Sequence, residues 1–259
     1  MYTKTELASC LFFDIETIPI AKSLDDIPKA LKKIWLAKHH FKCLEKETQF
    51  ESKDIILSAE DEIEIKGSDI CTIPMFESVK KFTYDEIFIK HAALYPEFSR
   101  VISIAVGGFS DETLEDRKIG CLYDEDEKKL LEQFQKYLDK RPDLILAGYN
   151  IKSFDIPFLT KRYYINDLKV PMQFQTRGKK PWEVHFVDTC EDWKGLMWES
   201  ISLDLLCNVL DVPSPKDKFQ NYEFTTLYYN KKISVDDVKE YPSKDVNAHM
   251  SCCVKLISK

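Results

Sequence analysis

Residues 11–19 read LFFDIETIP, and they decide the fold. The apolar run over residues 7–13 is too hydrophobic for a surface edge, so it predicts a buried strand that ends at Asp14. Strand periodicity puts Asp14 and Glu16 on one face. Open α/β sheets place their sites at the ends of central strands. Pro19 then stops regular structure. A D-x-E triplet alone says little in a chain with 44 acidic residues. Asp124/Asp126 and Glu62/Glu64 share the spacing and read as solvated surface.

Working outward, residues 25–40 have helical spacing, with Ile27, Leu31, Ile34, Trp35 and Lys38 on successive turns and Pro28 near the start. Residues 41–80 are charged and include an alternating EIEIKG piece, which predicts an insertion, partly a hairpin. A helix follows over residues 84–93. Residues 100–107 (RVISIAVG) are a buried strand that residues 118–123 can pair with through a turn. Residues 124–140 form an amphipathic helix with Leu130, Leu131, Phe134, Tyr137 and Leu138 as its stripe. Short strands at 144–147 and 184–188 alternate with helices at 154–164, 202–210, 235–241 and 242–256. A hairpin followed by alternating elements implies an α/β fold: a mixed five-stranded sheet with helices on both faces, in one domain over residues 1–259.

Bulk properties narrow the function. Thirty-seven basic residues against 44 acidic ones give a net charge of −7, which argues against strong non-specific nucleic-acid binding driven by overall charge. A nucleic-acid enzyme with bound metals and a local basic patch remains compatible. Eight cysteines lack zinc-type spacing and are expected to be reduced thiols in a cytoplasm. No signal peptide is expected at residues 1–13, and no apolar run approaches the roughly 18–20 residues of a membrane span.

Two further segments bring carboxylates. Asn150, Phe154 and Asp155 follow the second buried strand, where Asp155 reads equally as a helix cap or as a ligand. Tyr241 stands four residues before Asp245, one turn away on the same helical face. Alone, each has a bland reading. Together, Asp14, Glu16, Asp155 and Asp245 would repel one another unless hard cations held them, which points to two divalent metals and phosphoryl chemistry.

These residues resemble the motifs of the DEDD superfamily of 3′–5′ exonucleases, which have an RNase H-like fold. Position 240 is Glu where a histidine would mark the other main subclass, so the chain resembles the tyrosine subclass. It is closer still to the stand-alone exonucleases related to the exonuclease domain of family B DNA polymerases. The strings FFDIETIP, AALYPEFSRVISIAVG, GYNIKSFDIPFL, KPWEVHFVDT and SLDLLCNVLDVPSPK carry that likeness. Three features depart from the family pattern: the long 41–80 segment, Lys218-Phe219-Gln220-Asn221 where Gly-Ser is frequent, and Pro242 where Cys is common.

The resemblance implies hydrolysis of the terminal phosphodiester of single-stranded DNA, with RNA as the alternative substrate, in replication or repair, with a polymerase or repair machinery as a partner in trans. A catalytically weak nucleic-acid-binding accessory module is the reading from another class. Asp14, Glu16 and Asp245 would hold one Mg²⁺ and Asp14 with Asp155 a second, with Mn²⁺ able to substitute. Tyr241 would orient the attacking water. Asn150 and Phe154 would hold the terminal nucleotide, and Thr17 and Ile18 would line its pocket or simply pack. Arg177, Lys179, Lys180 and Trp182, and likewise Lys161 and Arg162, read as solvated surface or as a track for phosphates. His185 reads as a structural residue within a strand, and His249 as helix surface near the metal rim.

Overall fold

The structure, a computed structural model, describes residues 2–38, 84–180, 183–215 and 221–257. The insertion expected at 41–80, Trp182 and residues 218–220 lie outside them. The chain divides into two compact units, Met1–Ile20 with Ile89–Lys259, and Ala21–Phe88.

In the larger unit, Thr3 and Glu6 cap helix α1 (Lys4–Ala8) reciprocally. The first strand therefore begins later than its apolar run, and β1 spans Cys10–Pro19. It does not end at Asp14. Strand β2 (Ser99–Phe109) pairs with it antiparallel as far as Pro19, which carries the strand through the acidic motif. Strand β3 (Arg117–Tyr123) adds to β2 antiparallel. Two short strands, β4 (Ile145–Gly148) and β5 (Phe186–Asp188), extend the other side in parallel. Among the described residues the order is β3-β2-β1-β4-β5, the mixed five-stranded α/β sheet expected.

Alternation along β1 assigns its two faces. Leu11, Phe13 and Ile15 join the core beneath helices α4 (Glu127–Asp139) and α5 (Asp155–Ile165). Cys10 and Phe12 face the last helix with Ala105, Phe109, Val246, Met250 and Cys253. In α4, Leu130, Leu131, Phe134 and Leu138 are buried, but Tyr137 is exposed, off the expected stripe.

Arg162 ties α5 down. Its guanidinium donates to both Glu127 carboxylate oxygens and to the Pro96 carbonyl, while Glu127 also accepts the Val101 amide at 2.7 Å and the Asn166 amide nitrogen at 2.8 Å. Arg162 is buried and is no phosphate track: full pairing is what permits both charges to leave water. Lys161 beside it is exposed, 3.4 Å from Glu97.

Helices α6 (Thr189–Lys194), α7 (Leu203–Val209) and α8 (Asn221–Tyr229) follow. The final helix, α9, runs unbroken over Val235–Ile257, with Pro242 inside it. Two helices were expected there. Proline lacks the N–H that would bond Val238 O one turn earlier. The buried Ser103 hydroxyl of β2 donates to that carbonyl instead, at 3.3 Å.

In the smaller unit, residues 29–38 are helical, α2, after a 3₁₀ turn at Leu24–Asp26. Helix α3 (Tyr84–His91) carries the chain out of this unit, and its Asp85 accepts the Leu24 amide at 2.7 Å. Trp35 is fully buried, its ring 5.1 Å from Phe88. Ile34, expected on the same stripe, is exposed.

Candidate active site

Asp14 and Glu16 occupy the face of β1 that α9 covers, continuing the Cys10–Phe12 positions. Apolar side chains give way to carboxylates along one line of the strand. Their cross-strand neighbours on β2 are Ala105 and Ser103. From α9, Asp245 meets them: one carboxylate oxygen from each of Asp14, Glu16 and Asp245 lies within 4.8 Å of the others. Close approach of α9 depends on Gly107, opposite Phe12 on β2. A Cβ at Gly107 would stand 2.8 Å from Val246 and 3.1 Å from the Met250 sulfur.

Asp155 arrives by another route. Strand β4 pairs with β1 only over Cys10–Phe12 and ends at Gly148. There a Cβ would fall 2.0 Å from Ile151 and 2.9 Å from the Phe13 carbonyl, so the turn closes only on glycine. Asn150 takes the left-handed conformation, φ 63°, which Asn tolerates better than most residues. Asp155 opens α5 without acting as its cap, since Phe154 holds the cap position. It is not a member of the close trio, yet its charge acts on Asp14 and Glu16.

The electrostatics follow from this crowding. Burial, then the charges of Asp245, Asp155 and Glu16, hold the Asp14 carboxyl well above the usual range. Glu16 is raised by burial and by Asp245 and Asp155. Burial pushes Asp155 up to about 7, against hydrogen bonds from its own amide and that of Ile15. Such a set of oxygen donors fits a hard divalent cation, whose charge would reverse these shifts. Tyr241, one turn before Asp245, packs its ring 5.6 Å from Phe224 in a cluster with Ile18, Ile102 and Val238. Burial and the charges of Glu16, Asp245 and Asp14 raise its phenol above the ordinary value, so it stays protonated.

The remaining expected residues are less uniform. Asn150 is exposed, and Phe154 is half-buried with its ring 5.3 Å from Phe158. Thr17 donates its hydroxyl to the Ala93 carbonyl at 2.8 Å. Ile18 is fully buried beneath Tyr241, packing rather than lining open space. Arg177, Lys179 and Lys180 are exposed. His185 is exposed and precedes β5. His249 is not on the surface. It is buried against Phe12 and shares a 2.7 Å hydrogen bond with the Thr189 hydroxyl, and burial lowers its pKa to about 3.

Sequence reasoning missed Asp188, which accepts backbone amides from both the Asn150 turn and α6. Its signal was there: an Asp-Thr pair at a strand end is a helix-capping pattern. It also missed Gly107 and Ser103, which only the packing of α9 explains.

A family model described as DNA polymerase family B, exonuclease domain, matches residues 4–192. That span contains Asp14, Glu16 and Asp155 and ends before Tyr241 and Asp245. No curated protein matches the chain.

Proposed function

The chain belongs to the family of exonuclease domains of family B DNA polymerases, in the DEDD superfamily, and from that premise we propose a metal-dependent 3′–5′ exonuclease of the tyrosine subclass. It hydrolyses the terminal phosphodiester of single-stranded DNA and releases nucleoside monophosphates, in replication or repair, with residues 1–259 acting as one exonuclease domain. The observation that carries this is the convergence of Asp14, Glu16 and Asp245 within 4.8 Å, with Tyr241 one turn from Asp245.

In this reading Asp14, Glu16 and Asp245 hold one Mg²⁺ or Mn²⁺, and Asp14 with Asp155 holds a second. Divalent cations bound there supply positive charge to a reacting phosphodiester and lower the pKa of water. Tyr241, kept as a neutral phenol, hydrogen-bonds and orients the attacking water instead of taking its proton. The exposed edge of the Asn150 turn and the Phe154 ring face the terminal nucleotide, the ring by stacking. Arg177, Lys179 and Lys180 offer exposed charge to the phosphate backbone. We place this activity in the cytoplasm, where cysteines are kept as reduced thiols. Among the described residues no helix is long and apolar enough to cross a membrane.

End-labelled single-stranded DNA and RNA of matched sequence test the reading. Mononucleotides should leave the 3′ end of DNA with Mg²⁺ or Mn²⁺, and Asp14→Ala should abolish release. Retained activity in that variant overturns the proposal. Faster digestion of RNA makes the enzyme an exoribonuclease, and strand binding without turnover makes it an accessory module.

A further inference from the structure

Asp188 lies beside Gly148 in the parallel β4–β5 pair and is 1% exposed. A carboxylate buried to that degree is stable only if its oxygens are satisfied. Here they accept four backbone amides. Oδ1 takes Asn150 N at 2.9 Å, Cys190 N at 3.1 Å and Glu191 N at 3.4 Å, and Oδ2 takes Lys152 N at 3.0 Å. The Cys190 and Glu191 bonds are an ordinary N-cap for α6. The other two reach 38 and 36 residues back, into the turn that leads to Asp155.

That turn needs holding. It contains a left-handed Asn150 and the tight approach at Gly148, and it ends three residues before Asp155. Lys152 adds a second tie from its side chain to Glu191 of α6. Without the Asp188 oxygens, the Asn150 and Lys152 amides lose these acceptors and the strained turn loses its clamp. We propose that Asp188 is a positioning residue of the exonuclease site: it clamps the Asn150–Lys152 amides and so fixes Asp155 and Phe154. This rests on the exonuclease reading above, and it assigns Asp188 no contact with substrate or metal.

Asp188→Ser separates the two roles, because a serine hydroxyl still caps α6 but is too short to grip both strands of the clamp. Asp188→Asn keeps one carbonyl oxygen and should fall between it and the wild type; it also serves if the serine variant fails to fold. Amide hydrogen exchange on the metal-free proteins is the first readout: Asn150 and Lys152 should both exchange faster in Asp188→Ser, and Lys152, whose acceptor Oδ2 is the one replaced, in Asp188→Asn, while Cys190 and Glu191 stay protected in Asp188→Ser. The second is the Mn²⁺ concentration for half-maximal activity, expected to rise about 10-fold in Asp188→Ser, in the range typical of lost supporting hydrogen bonds. Unchanged exchange at Asn150 and Lys152, or an unchanged metal requirement in a folded active variant, overturns the proposal. An inactive wild type would instead refute the exonuclease reading; the exchange measurement would then still decide whether the clamp exists.

Discussion

Gly107 and Val246 pack so closely that a Cβ on the glycine would lie 2.8 Å from the valine Cγ1. Val246 directly follows Asp245. Gly107→Ala should therefore push α9 off the sheet and pull Asp245 away from Asp14 and Glu16. Overpacking of this kind costs about 1–3 kcal/mol. The expected result is a lower melting temperature and, in the protein that remains folded, at least about a 10-fold fall in kcat. Wild-type values for both would show that α9 has slack at this point.

Metal-free stability should fall as pH rises. Asp14, Glu16 and Asp155 keep their protons to higher pH in the folded protein than in the unfolded chain, where carboxyls titrate near about 4. The folded state thus binds more protons above that value, and its stability declines towards and through the folded pKa values, about 7 for Asp155. His249 opposes this trend at lower pH, because it is buried neutral and titrates near 6.5 when unfolded. From about pH 7 upward it contributes little. Melting curves in EDTA between about pH 7 and about pH 8 should slope downward, saturating Mg²⁺ should flatten them, and Asp14→Asn should reduce the slope without metal. A flat metal-free curve would refute the crowding.

Tyr241→Phe keeps the ring against Phe224 and removes only the hydroxyl. The expected outcome is a fall in kcat of about 10²-fold, with little loss of stability. Since the phenol is held protonated, the pH–rate profile should keep its shape. A shifted profile would mean that Tyr241 titrates during turnover.

Arg162→Ala leaves Glu127 buried without its main partner. Breaking a buried pair in this way costs about 3–5 kcal/mol, read from denaturant midpoints. The neighbouring Lys161→Ala should cost less than about 1 kcal/mol, because the Lys161–Glu97 pair is exposed.

The sequence made legible what depends on local period. Asp14 and Glu16 were placed on one strand face by alternation, and Tyr241 and Asp245 on one helix face by a four-residue step. What it hid depends on partners distant in the chain. Arg162 looks like surface charge until Glu127 is seen 35 residues away. His249 looks solvated until Thr189 meets it. Pro242 reads as a break, yet α9 continues through it, and Ser103 of β2, more than 130 residues away, donates its hydroxyl to the Val238 carbonyl that the proline leaves without a helical donor. β1 outlasts its predicted end because β2 is long enough to keep pairing with it.

Helix α9 covers one face of the sheet and also delivers Tyr241 and Asp245. A growing chain can therefore form β1 with its two carboxylates early, yet the acidic trio stays incomplete until Asp245, more than 200 residues further on, has been made and docked. A chain cut short before α9 would lose the cover of its core and its hydrolytic capacity together. Assembly of the acidic trio is thereby tied to the docking of α9, so the cluster cannot form on a sheet that still lacks its cover.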